Sequence, residues 1–248
     1  MTMAHFVRGW RQREVLITLG LALVSVLLWR VAWAGWLFYP FHVFGTFVHE
    51  LGHGFAAMAT GGRFLQFVVR PDLSGTATTA GGVRWVVVSA GYLGSALFGG
   101  VLLIISAWGV SARRVLVGLG AALALVCLWY ARNLFGFAAG LLMAAGLMVA
   151  GRRLDDRWAS GLLLFLAVHS MLDALDSLFD LVKLSTHHRH VLTDAQTMAQ
   201  YTMVPAVLWA LLWCGLAIAM LVVSLNIAYR RVPTTVEERR TWSDTMRR

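Results

Sequence analysis

Charged residues are scarce in this sequence, and their scarcity excludes most classes of fold. They make up 13% of the 248 residues, whereas hydrophobic residues make up 59%. A soluble domain is nearer a quarter charged and half apolar. The mean hydropathy of +0.71 points the same way, so water-soluble, disordered and collagen-like folds are excluded. The apolar residues come in long blocks, which indicates a polytopic membrane protein.

Cysteine is also rare, and the excess of positive charge lies in positions that do not favour nucleic acid. Both cysteines, Cys127 and Cys214, lie inside apolar runs. This excludes a disulfide framework and a zinc ribbon. The net charge is +9, but the arginines stand at the ends of apolar blocks and in the termini, where they anchor spans against lipid. We therefore expect a lipid bilayer as a partner and no nucleic acid.

The sequence predicts an all-α polytopic membrane protein of about six or seven transmembrane helices, with a short β-hairpin at the membrane face. Residues 1–230 form a single transmembrane domain in this interpretation, and 231–248 form a charged mobile tail. The first span is read as retained, because its apolar run is too long for a signal peptide. The spans are predicted at about 15–37, 39–60, 84–108, 113–131, 134–151, 158–183 and 203–228.

Two segments interrupt this pattern of spans. Residues 63–83 are predicted to form the β-hairpin, because the segment from Arg63 to Arg70 is rich in β-forming residues and Pro71–Gly75 has turn chemistry. Residues 113–151 hold two apolar runs and are predicted to form an inserted helical hairpin. A polar loop is expected at about 184–202.

The second predicted span contains the sequence His49-Glu50-Leu51-Gly52-His53, which is the H-E-x-x-H pattern of zinc metalloproteases. Residues four apart lie on one helix face, one turn from each other. Two imidazoles in this register can converge on one Zn²⁺ ion. Glu50 points to the side of that face, where its carboxylate can reach a water molecule at the metal without being a ligand.

Chance and a purely structural role both explain this pattern poorly. At this composition, random placement produces it about 0.004 times per chain. Glu50 is the only glutamate between Val15 and Val236, and an ionised carboxylate at the centre of a membrane helix costs roughly 3 kcal/mol. The alternative is a pair of helix-packing histidines, with Glu50 paired to an arginine.

A catalytic zinc site needs a third protein ligand, and the sixth span offers three candidates. Asp173 matches the depth of His53 best and is the favoured ligand, with Asp176 as the runner-up and His169 as a further alternative. These positions share one helical face. The aspartate that does not bind metal could accept an imidazole N–H. Alternatively, both aspartates form structural ion pairs with Arg132 or another intramembrane arginine.

With these motifs the chain resembles the site-2 protease family of intramembrane zinc metalloproteases, in a compact branch without an appended PDZ or CBS domain. The resemblance covers roughly residues 40–225. It is carried first by the stretch from Phe47 to Ala57. Weaker matches are Ala90–Ser95, His169–Asp176 and Thr193-Asp194-Ala195.

This interpretation predicts a protease that hydrolyses a peptide bond in or near a transmembrane segment of a membrane-protein substrate. Glu50 would be the catalytic base, and one Zn²⁺ per chain would be held by His49, His53 and Asp173. Asn133 is a candidate for substrate binding. The strand segment from Arg63 to Arg70 is a second candidate, because it could pair with an unwound substrate by β-augmentation. We expect an integral multi-pass protein of the plasma (inner) membrane.

Two other functions are compatible with the sequence. One is a non-enzymatic metal-binding membrane scaffold or transporter, although predicted spans one, three, four and seven lack the polar residues that line a transport path. The other is an inactive protease relative, against which the intact Glu50 argues. The sequence predicts no oligomeric state, and no membrane orientation because both termini are basic.

Overall fold

A computed structural model of the chain describes residues 12–29, 35–187 and 193–230. The predicted tail, 231–248, lies outside the described residues. Within the described ranges the chain forms helices α1 (Gln12–Trp29) and α2 (Gly35–Ala59), strands β1 (Arg63–Val69) and β2 (Gly75–Ala80), and then helices α3 (Arg84–Ala107), α4 (Ala112–Tyr130), α5 (Leu134–Arg153), α6 (Asp156–His187), α7 (Asp194–Thr202) and α8 (Ala206–Tyr229).

The predicted all-α membrane fold with a β-hairpin is confirmed, but the described residues hold fewer candidate spans than the six or seven expected. In the part of the chain that the structure describes, five helices are long and apolar enough to cross a membrane: α3, α4, α5, α6 and α8. Helices α1 and α2 occupy the positions of the first two predicted spans, and the one small sheet in the described ranges is the two-stranded hairpin.

Three boundaries differ from the sequence prediction. The first span was expected at about 15–37, whereas α1 is Gln12–Trp29 and residues 35–37 belong to α2. Helix α2 begins at Gly35, so Pro40 lies inside it rather than at its start. Pro40 has no backbone N–H, so the carbonyl four residues before it lacks its helical hydrogen bond. That carbonyl lies in the first turn of α2, so the helix continues beyond it. The expected loop at 184–202 contains α7, which begins after Thr193. The Thr193 hydroxyl accepts a hydrogen bond from the backbone N–H of Gln196 at 3.2 Å, so threonine caps the helix.

Helix α3 is the central packing partner, since it contacts α2, α6 and α8. Its approach to α2 is very close, because a Cβ atom on Gly52 would overlap the backbone carbonyl of Ala90. Only small residues allow two helix backbones to approach this closely. The other side of α2 is apolar, where the buried rings of Phe47 and Phe67 meet edge to face at 5.7 Å.

The β-hairpin folds back along α2. Its strands are antiparallel, and its turn contains Leu73 in the left-handed region at a φ of 68°. The Tyr39 hydroxyl donates a hydrogen bond to the carbonyl of Pro71 at 2.8 Å, and the Thr46 hydroxyl donates to the carbonyl of Leu73 at 3.0 Å. Both donors belong to α2, so the turn is tied to the helix that carries the H-E-x-x-H pattern.

The outer edge of β1 is closed by the connection between α4 and α5. The backbone N–H of Arg132 donates to the carbonyl of Phe67 at 3.0 Å. The side chain of Asn133 donates to the carbonyl of Val69 at 2.6 Å and accepts from its N–H at 3.3 Å. Non-helical backbone at membrane depth needs such partners, because lipid provides none. This strand is therefore held as part of the bundle.

Candidate metal centre

His49 and His53 project from one face of α2 towards α3, as the four-residue spacing predicts. The Nε2 atoms of the two rings lie 3.1 Å apart. They face Gly91 of α3, where an added Cβ atom would come within 2.5 Å of both Nε2 atoms. Glycine at this position therefore leaves the space that the two imidazoles occupy.

The third group at this point is the carboxylate of Asp194, the first residue of α7. Its Oδ2 atom lies 3.2 Å from His49 Nε2 and 3.3 Å from His53 Nε2. Three ligands about 2.0–2.1 Å from a tetrahedral Zn²⁺ are about 3.3 Å from one another. The three atoms thus already stand at the separations that such an ion requires. His49, His53 and Asp194 are called the first cluster below.

The tautomer of His53 also fits a metal ligand. Its Nδ1 lies 2.7 Å from the backbone carbonyl of Val87. A carbonyl can only accept, so Nδ1 carries a proton and Nε2 is the ring nitrogen that faces the cluster. Metal-binding histidines commonly use such a backbone carbonyl to fix the ring.

Asp194 is held in the charged form that a metal ligand needs. Burial raises the pKa of its carboxyl group, but hydrogen bonds from His49 and His53 outweigh burial and keep the pKa well below its usual range. Because Thr193 caps α7, the position of this carboxylate is fixed by the start of a short helix rather than by a free loop.

Glu50 lies beside the first cluster and against the hairpin. Only 5% of its surface is exposed. A Cβ atom on Gly75 would overlap the Glu50 carboxylate, and the backbone N–H of Ala77 hydrogen-bonds to it. Glycine at the start of β2 therefore leaves room for a carboxylate between the strand and the helix. This is the position that a proton acceptor next to a metal needs.

The hairpin presents the outer edge of β2 to this carboxylate. Ala77 pairs with Phe67, but the Phe67 carbonyl bonds Arg132 on the far side of β1. The backbone groups of Ala77 consequently point away from β1 and towards Glu50. The edge that the sequence offered for substrate pairing, the segment from Arg63 to Arg70, is closed by Asn133, whereas the β2 edge borders the first cluster.

The family described as Peptidase M50B-like matches residues 17–224. The chain belongs to this family. Its members are membrane metalloproteases of the site-2 protease type, so the resemblance drawn from the motifs is confirmed at the family level. No curated protein and no solved structure matches the chain.

In this M50B-like protein the residues predicted as the third ligand lie away from the first cluster. Asp173 Oδ1 lies 2.6 Å from His42 Nδ1, on another part of α2. Asp176 is exposed, and His169 is buried among aromatic rings. The prediction matched ligands by their depth in parallel spans. The structure instead brings a carboxylate from α7, which follows α6 and reaches back to the histidines.

Asn133 and Arg132 also have structural contacts away from the metal centre. Asn133 bonds the backbone of Val69, as described above, and has no contact with the first cluster among the described interactions. The guanidinium of Arg132 donates to the carbonyls of Ala131 and Trp129, at 2.9 and 2.7 Å. The described contacts of the Arg132 side chain are thus with its own loop, and they include no ion pair with Asp173.

Sequence reasoning gave Asp194 no ligand role, although Thr193-Asp194-Ala195 was among the weaker family matches and a local helix-start signal was also present. Thr193 followed three residues later by Gln196 is a pattern for a helix start. It predicts α7, and it places Asp194 in the first turn. The meeting of that turn with α2 depends on the packing of α7 against α3 and α8, which no local pattern encodes.

Proposed function

We propose that this M50B-like protein is an intramembrane zinc metalloendopeptidase of the plasma (inner) membrane. It would hydrolyse a peptide bond in or near a transmembrane segment of a membrane-protein substrate. One observation carries the proposal: the ligating atoms of the first cluster stand 3.1–3.3 Å apart, with the buried Glu50 beside them. A set of metal ligands alone would also fit a metal-binding scaffold. A buried carboxylate beside the ligands fits a hydrolase, because hydrolysis needs a proton acceptor.

His49, His53 and Asp194 would hold one Zn²⁺ ion at this site. Two imidazoles and one carboxylate leave a fourth tetrahedral position open, as catalytic zinc sites do. The bound ion would polarise the scissile carbonyl and lower the pKa of a water molecule towards about 7. The Val87 carbonyl fixes His53, and Gly91 leaves the space in which both rings face the ion.

Glu50 would move the proton in this reaction. Its carboxylate accepts the proton of the attacking water and later returns it to the leaving amine. The N–H of Ala77 fixes the carboxylate from one side. Because the group is almost fully buried, bulk water does not compete for the proton.

The substrate would bind as an extended strand against the outer edge of β2. A transmembrane helix must unwind before its carbonyl can reach a metal ion, and its freed backbone groups then need partners. The backbone of Ala77 points towards Glu50, so a strand added at this edge passes next to the first cluster. This replaces the segment from Arg63 to Arg70 as the expected pairing strand.

The function is tested with Glu50→Gln in the full chain, purified in detergent or nanodiscs. We expect wild type to cleave a model transmembrane substrate, and Glu50→Gln to keep its zinc while its rate falls about 100- to 10,000-fold. Asp180→Asn removes an exposed carboxylate that pairs with Lys183 and should leave the rate unchanged. A wild type that binds zinc but cleaves no substrate would favour the metal-binding scaffold or the inactive relative. Cleavage by Glu50→Gln at the wild-type rate would contradict the role of the base.

The binding mode is tested by photo-crosslinking in the Glu50→Gln background, which holds uncleaved substrate. A crosslinking residue at Thr78 of β2 should capture the substrate. A matched residue at Leu65 of β1, which is also exposed, should not. Capture from Leu65 alone would instead favour the β1 edge.

A further inference from the structure

A second group of metal-ligating side chains lies between α2 and α6. It consists of His42, His169 and Asp173, and is called the second cluster below. One ligand atom from each residue lies within 4.8 Å of the other two. No residue is shared with the first cluster, so the proposed protease chemistry does not account for it.

The second cluster has the form of a built site. A Cβ atom on Gly45 would overlap the Asp173 carboxylate, so α2 leaves a notch for this group one turn from His42. His42 Nδ1 and Asp173 Oδ1 are 2.6 Å apart across that notch. The His42 and His169 rings have centroids 5.2 Å apart. Three side chains from two helices therefore converge on one point.

The environment of His169 favours a ligand over a solvated side chain. The residue is 2% exposed, and both ring nitrogens are buried. The rings of Phe38, Phe41 and Phe165 surround it, with centroids 5.7, 5.3 and 5.6 Å away. An apolar wall of this kind fixes the ring and excludes water, as the shells around metal ions do.

Electrostatics supports a cation at the same point. The Asp173 side chain is 17% exposed, on a helix long and apolar enough to cross a membrane. A carboxylate at such depth is costly unless positive charge offsets it. His42 lies 2.6 Å from this carboxylate, and a divalent ion bound by all three side chains would supply the offsetting charge. The separations required around Zn²⁺ are about 3.3 Å, so closing the cluster needs ligand-atom shifts of about 1.5 Å or less.

We propose that the second cluster is a metal site for a borderline transition-metal dication such as Zn²⁺. Two imidazoles and one carboxylate are the ligand types that such ions select. The bound ion would fasten α2, the helix that carries the first cluster, to α6. The site has no neighbouring glutamate and no strand edge among the described residues, so it would have a structural role rather than a hydrolytic one.

Metal counting on the full-length protein tests this proposal. The purified chain in nanodiscs is stripped with a chelator, equilibrated with Zn²⁺, freed of unbound ion and analysed for zinc. We expect two ions per chain in wild type. Asp173→Asn and His42→Gln should each lose one, as should the double variant His49→Ala/His53→Ala. The matched control Asp176→Asn, which alters an acid outside the cluster on the same helix, should keep both.

The outcomes separate this proposal from the protease function. Equal zinc content in wild type, Asp173→Asn and His42→Gln would overturn the second site. Folding of each variant is checked by size-exclusion chromatography. If Asp173→Asn aggregates, the zinc content of His42→Gln decides the test. One ion that Asp173→Asn removes but His49→Ala/His53→Ala retains would leave this site standing and remove the zinc of the proposed protease. Co²⁺ replacement gives a second readout, because each tetrahedral site adds visible absorption.

Discussion

Two clusters of the same composition lie on one helix, and their surroundings differ. Each contains two histidines and one aspartate. His42 and His49 are seven residues apart, so the clusters share a face of α2 and are separated by two turns, or about 10.5 Å. The first cluster takes its carboxylate from the short helix α7, and the second takes it from the long helix α6. The sequence pattern of α2 alone therefore does not say which carboxylate joins which histidine.

The difference between the two clusters lies in what surrounds the ligands. Glu50 and the β2 edge border the first cluster, whereas three phenylalanine rings enclose His169 in the second. A metal-binding set becomes a hydrolytic site only with a proton acceptor and a place for the substrate. Different functions for the two clusters would therefore arise from these neighbours rather than from the ligand set.

The largest expected difference between the two clusters comes from replacing each aspartate with asparagine in a separate variant. Asp194→Asn removes a ligand from the first cluster, so its zinc affinity should fall about 100-fold or more and cleavage should be lost. Asp173→Asn should leave cleavage within a few-fold of wild type. Zinc affinity is measured by competition with a chelator, and cleavage with a model transmembrane substrate. If Asp173→Asn abolished cleavage and Asp194→Asn did not, the assignment of the third ligand would be reversed.

A smaller effect is expected from the two glycines that accommodate the clusters. Gly91→Ala places a Cβ atom 2.5 Å from both Nε2 atoms of the first cluster, and Gly45→Ala overlaps Asp173 in the second. Misplacing ligands in this way should weaken zinc binding about 10-fold at the neighbouring cluster only. Zinc titration of each variant measures this. Gly118→Ala is the control, since its Cβ would have no neighbour within 4 Å. Equal weakening at both clusters would mean that they are not independent.

The smallest effect is expected from Asn133→Ala. This change removes support from the hairpin, which borders the first cluster but not the second. Two hydrogen bonds to Val69 are lost, which should destabilise the fold by about 1–3 kcal/mol. Cleavage should fall a few-fold, while zinc content stays the same. Thermal unfolding in detergent measures the stability. A loss of zinc in this variant would show that Asn133 acts on the metal centre and not only on the strand.

The membrane class and the helix that carries the H-E-x-x-H pattern follow from local sequence features. The apolar runs predicted helices close to their observed bounds, because a span needs about 20 apolar residues. The convergence of His49 and His53 was predictable because a four-residue spacing fixes a shared helix face. The hairpin was predictable from its turn residues.

The third ligand was not predictable in the same way. The sequence prediction compared the depths of residues in α2 and α6 and so considered only those two helices. Asp194 comes from α7, and the position of α7 depends on its packing against α3 and α8. The strand edge that borders the first cluster was also hidden in the sequence. Asn133 closes the edge of β1 from 64 residues away in the chain, and such long-range contacts leave no local periodicity.

The anchoring of the hairpin turn limits how a substrate can enter. Tyr39 and Thr46 hold the carbonyls of Pro71 and Leu73, so swinging the hairpin outward would break both bonds, at about 0.5–1.5 kcal/mol each. Asn133 would also have to release β1. These bonds favour a hairpin that stays in place rather than one that swings as a flap, so a substrate of the proposed protease would enter alongside it.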